Sequence, residues 1–144
     1  MRPIFKYLII IVLVSFSFLS YGQKKKLELP SSYKTFTVAE AKSFIEEALN
    51  SQQKHTPASV FVGDKFYKVG YGGSSMGSTF HTRIVNKFVY YNDIGKLVLY
   101  EYPNNYNLVI YNKKGKEVNK VITKDLTLLH DFIGALKVLE RANQ

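Results

Sequence analysis

The sequence predicts an α+β fold: an antiparallel β-meander of about five to six strands with an N-terminal and a C-terminal helix packed on one face. Three observations point there. Phe80 to Thr123 reads as apolar and aromatic runs separated by short Asn, Gly, Pro or Lys turns, the pattern of strands joined by hairpins. The segments 37–50 and 126–141 repeat apolar residues at helical spacing. The turn Tyr91-Asn92-Asp93-Ile94-Gly95-Lys96 also recurs twenty residues later as Tyr111-Asn112-Lys113-Lys114-Gly115-Lys116, with Val98 and Val118 in step. In both copies Asn is expected to open a type I turn through its side chain, and Gly to take the left-handed position of a bulged hairpin loop.

Residues 1–22 read as a signal peptide. Arg2 and Lys6 supply a positive start, Tyr7 to Leu19 an apolar stretch, and Ser20-Tyr21-Gly22 small residues before a cleavable bond to Gln23. The apolar stretch falls short of the about 20 residues that a spanning helix needs. The expectation is an exported protein, periplasmic or secreted. With no cysteine in the chain, disulfides, thiol nucleophiles and thiolate metal sites are excluded.

After cleavage 122 of the 144 residues remain, enough for one domain, and the net charge falls from +9 to +7 as Arg2 and Lys6 leave. Such a surplus favours an anionic partner, and export argues against nucleic acid. A protein or an acidic envelope polymer fits better. Lysine also serves to keep strand edges from pairing with one another.

Residues 23–36 form a basic extended arm, in which Lys24, Lys25 and Lys26 are solvated or in peripheral contact with a membrane. A single domain is expected over 37–144. Its first helix opens at Thr37 with a capping box completed by Glu40, and Val38, Ala41, Ile45 and Ala48 give it an apolar face to about Asn50. Next, 58–62 and 65–69 flank Gly63-Asp64 as a first hairpin.

In the meander, Lys96 to Tyr102 is apolar on both alternating sets, Leu97 and Leu99 on one and Val98, Tyr100 and Tyr102 on the other, which predicts a central strand. Residues 107–112 repeat the pattern, and the lysine-bearing 117–123 suits an edge. Asp125 or Thr127 caps the last helix, expected from about Leu126 to Arg141, whose Gly134 could let it approach the sheet closely.

Of the chemical motifs, Gly73-Ser74-Ser75-Met76-Gly77 matches the nucleophile-elbow pattern. A strand-like run follows it where that motif needs a helix. A small serine-dependent hydrolase using Ser75 with His81 as base is therefore the alternative reading. Gly72 to Thr79 resembles a phosphate loop only loosely, since Ser78 stands where lysine is required. His55, His81 and His130 have no metal-ligand spacing, and the sequence implies neither a metal nor a cofactor.

The tyrosines carry the main functional expectation. Nine lie beyond residue 22, most of them in the meander, and tyrosine brings large contact area at little entropic cost. With helices covering one face, the other is expected to expose Val98, Tyr100, Tyr102 and Tyr111, rimmed by Lys87 and Lys113, as a binding surface for an acidic partner. This suits an inhibitor or immunity-type factor, or a cell-envelope binding module.

Overall fold

The Thr37 hydroxyl accepts the Glu40 amide at 3.2 Å while a Glu40 carboxylate oxygen accepts the Thr37 amide at 2.7 Å, so helix α1 (Val38–Asn50) starts at the expected capping box. A computed structural model describes residues 23–52, 56–74 and 82–144; residues 1–22, His55, Ser75 and His81 lie outside them. Asp125 caps helix α2 (Leu126–Arg141) by accepting the amides of Thr127 and Leu128. The two helices pack against each other, and no described helix is long and apolar enough to cross a membrane.

The fold is α+β, with seven antiparallel strands in two sheets among the described residues. Strands β1 (Lys25–Leu27), β5 (Ile94–Tyr102), β6 (Asn105–Asn112) and β7 (Glu117–Thr123) form one, in the order β1-β5-β6-β7. Strands β2 (Ser59–Val62), β3 (Phe66–Ser74) and β4 (Thr82–Tyr90) form the other, in that order. One core joins them: Ile45 and Leu49 of α1, Tyr67 and Val69 of β3, Val89 of β4, Leu99, Leu108 and Ile110, and Phe132 and Leu136 of α2 are all buried in it. Burying these side chains removes most of their apolar surface from water, worth about 1.5–3 kcal/mol for each large one.

Three local readings are corrected. The repeated turn is not a repeated hairpin: Tyr91–Asp93 is a single 3-10 turn that carries the chain from one sheet to the other, and among the described residues only Gly115 has positive φ, 78°. Gly95 instead lies at a bulge of β5, where a Cβ would stand 2.6 Å from the Asn112 oxygen and 2.7 Å from Lys113 Cα. The first copy is thus pressed onto the backbone of the second, and Lys113 N–H donates to the Asp93 oxygen at 2.9 Å. Only the second copy turns as expected, with the Asn112 side chain accepting the amides of Lys114 and Lys116.

The basic arm does not stay apart from the domain. Its β1 pairs with β5, Lys26 opposite Tyr100, which makes β5 central as expected but flanked by a strand from outside the meander. Gly134 faces this N-terminal segment and not the sheet: a Cβ there would sit 3.1 Å from the Lys34 oxygen.

Candidate binding surface

Pleating sends alternate side chains of the three-stranded sheet to opposite faces. Val60, Val62, Tyr67, Val69 and Val89 point to the core, so Phe61, Phe66, Phe88 and Tyr90 share the other face. Phe66 pairs with Tyr90 and Lys68 lies between Phe61 and Phe88. The rings meet one another: Phe66 lies 5.8 Å from Phe61, 5.8 Å from Phe88 and 5.3 Å from Tyr90, and Phe88 stacks on Tyr90 at 6.4 Å. Nothing described covers them, since Phe61 is 51% exposed, Phe88 42% and Tyr90 49%. Further along β4, Ile84 is as open as Phe61.

The side of this face that borders the other sheet is a seam. Among the described residues β4 pairs only with β3, and β7 only with β6. The Tyr91 N–H donates to the Lys65 oxygen, which continues the β3–β4 ladder and phases it: residues 85, 87 and 89 exchange hydrogen bonds with β3, while Asn86, Phe88 and Tyr90 aim their N–H and C=O groups into the seam. On the β7 side the Ile122 N–H donates to Gln52 Oε1 at 3.1 Å, so a buried side chain satisfies one outward-facing amide of that edge.

Two clefts of about 440 and 330 Å³ lie along the seam and share Lys87 and Glu117. The larger is walled by Asn86 to Tyr90 on one side and by Asp93, Lys116 and Val118 on the other. The smaller is lined by Tyr71, Val85, Lys120 and Ile122. Lys87 Nζ stands 5.7 Å above the Tyr71 ring. Beneath it, Tyr71 donates to Asn119 Oδ1 at 3.5 Å, and Asn119 Nδ2 donates to the Tyr67 hydroxyl at 2.9 Å. Burial pushes the Tyr67 and Tyr71 phenols up, so both stay protonated and neutral at ordinary pH.

The residues expected to bind are distributed differently. Val98, Tyr100 and Tyr102 do share the face of β5 opposite the core, and Tyr111 lies diagonally across on β6. That face is not open, however: Val98 and its partner Val109 are each 3% exposed, and Tyr100, Tyr102 and Tyr111 are half-buried. Register explains this, because Lys96, Tyr100, Tyr111 and Lys120 surround the valine pair with long side chains. Lys24 Nζ lies 4.6 Å over the Tyr100 ring. Lys113 is exposed in the β6–β7 turn. Lys87 is not on the rim of this face at all; it belongs to the other sheet, at the seam. Ser75 and His81 fall outside the described residues.

The exposed aromatic cluster was not singled out by the sequence, though a trace of it is there. Phe88-Val89-Tyr90-Tyr91 is apolar on both alternating sets, as a strand with two greasy faces is. Among the described residues no group of His, Asp or Glu could hold a metal ion. In comparisons with known proteins, no family model matches the chain, and neither a curated protein nor a solved structure is significantly similar to it.

Proposed function

We propose that this is a small exported binding protein, an inhibitor or immunity-type factor or a cell-envelope module, and that its contact surface is the aromatic face of the three-stranded sheet. The observation that carries this is the ring cluster of Phe61, Phe66, Phe88 and Tyr90, whose members touch one another and water but not the core. Leaving such rings wet forgoes the apolar burial that stabilises a fold, and contiguous exposed aromatic area of this kind marks interaction sites. Lys68 at its centre and a net charge of +7 beyond residue 22 favour an anionic partner. The tyrosine face of the other sheet is the weaker candidate, because its central valines are already covered.

Two experiments test the reading. N-terminal sequencing of the mature protein should begin at Gln23; an intact Met1 would defeat export by cleavage. Recovery of partners from envelope extract should be lost with Phe88→Ser/Tyr90→Ser and retained with Tyr100→Ala/Tyr102→Ala. Equal recovery by the wild type and the Phe88→Ser/Tyr90→Ser protein would overturn the assignment of this face.

A further inference from the structure

We infer that the aromatic face docks on an anionic lipid bilayer, with its rings at headgroup level and its lysines on lipid phosphates. The inference rests on the binding role proposed for that face and names the kind of partner it fits. Charge in this part of the chain has one sign: from Lys65 to Asn92 there is no Asp or Glu, and β2 has none either. The flanking carboxylates lie off the face, Asp64 in a turn where Lys42 pairs with it and Asp93 in the larger cleft of the seam. Lys68, flanked by Phe61 and Phe88, is half-buried. Among the described residues no carboxylate forms an ion pair with it or with the exposed Lys65 beside Phe66. A lysine whose stem lies among rings while its ammonium stays free is placed to reach a polar surface above them.

Shape and size favour a bilayer over a protein. The four rings pack tilted or stacked against one another, which fills the gaps between them. Further along, a Cβ at Gly70 would meet Ser59 Oγ at 2.6 Å and both Asn86 Oδ1 and Ile84 Cγ2 at 3.0 Å, so its neighbours close over it. The face is thus level and without a socket, whereas protein hot spots are anchors seated in pockets. From Ile84 to Tyr90 it runs about 20 Å, and about 10 Å across three strands, a footprint on the order of 200 Å². A stable protein interface takes about 800 Å² from each partner. A second copy of this chain fits worse still, because a two-fold contact would set Lys68 toward Lys68 with no carboxylate on either face. A bilayer needs neither socket nor large area: aromatic rings settle at its interface, and anionic headgroups attract the lysines.

The test is co-sedimentation of the mature protein with vesicles of phosphatidylcholine, alone or mixed in equal parts with phosphatidylglycerol. The mixed vesicles should bind it about tenfold or more tightly than the neutral ones, from the attraction of two lysines to a charged surface. Phe88→Ser/Tyr90→Ser should weaken that binding by about tenfold or more, while Lys24→Gln/Lys25→Gln/Lys26→Gln should leave most of it. Lys68→Glu should weaken binding to the mixed vesicles and strengthen binding to vesicles carrying a cationic lipid instead, a reciprocal effect that misfolding cannot produce. The chain has no tryptophan, so Phe88→Trp supplies a single reporter, whose emission should be quenched by lipids brominated along their acyl chains. No vesicle binding, equal binding to both vesicle types, an unquenched reporter on bound protein, or dependence on the lysine arm and not on the rings overturns the bilayer inference. If Phe88→Ser/Tyr90→Ser nonetheless abolishes recovery of a protein partner from lipid-free envelope extract, the aromatic face stands as a protein-binding surface; if that recovery is also unchanged, both readings fall.

Discussion

Asn119 on β7 donates its amide to the hydroxyl of Tyr67 on β3 at 2.9 Å, a hydrogen bond between two sheets that share no ladder. Both residues are fully buried. Because Tyr71 donates to the same amide's oxygen, one side chain ties two positions of β3 to β7, and a buried amide of this kind is worth most when every partner is present.

Asn119→Ala should therefore destabilise the protein by about 1–3 kcal/mol, the cost of leaving buried polar partners unmade. Urea unfolding measures it. The double variant with Tyr67→Phe should cost less than the two single changes added together, since the pair shares one interaction.

Stability should fall at alkaline pH. Burial raises the Tyr67 and Tyr91 phenols above the ordinary value of 10.0. Below about pH 10 both folded and unfolded chains keep these protons and the full stability is present. Above it the unfolded chain releases protons that the native state still holds, so stability drops by up to about 1.4 kcal/mol per pH unit for each such tyrosine. Denaturant titrations between pH 8 and 11, with Tyr67→Phe giving a shallower alkaline limb, would check the sign and the residue.

Two glycines of the repeated turn should respond differently to alanine. Gly95→Ala drives a methyl group into the Asn112 and Lys113 backbone, which has no rotamer to yield, and should cost about 1–3 kcal/mol. Gly115→Ala meets open space and incurs only the strain of its φ of 78°, about 1 kcal/mol. Thermal unfolding of the two variants should rank them in that order.

Gln52→Ala should free the Ile122 amide on the β7 edge. Its side chain accepts the Ile122 amide while its own amide donates to the Leu49 oxygen, so the variant should lose about 1 kcal/mol. The Ile122 amide should also exchange with deuterated water faster than in the wild type, by NMR.

What the sequence determined by itself was what short-range chemistry decides. The capping box at Thr37, the stop near Asn50, the span Leu126–Arg141, the Gly63-Asp64 turn and the Asn112–Gly115 turn each depend on residues within a few positions of one another, and all could be read from spacing alone. Tertiary structure decided the rest. The two copies of the Tyr-Asn-x-x-Gly-Lys stretch are alike locally, but only packing of Gly95 on the Asn112–Lys113 backbone makes the first a crossing between sheets. Phe88-Val89-Tyr90-Tyr91 is greasy on both sides, and it is register with β3, with the inward Tyr67 ring set 6.4 Å from Phe132, that turns Val89 in and leaves Phe88 and Tyr90 in water. A strand shifted by one residue exchanges its faces, and that phase is set by partners distant in the chain, which no local pattern specifies.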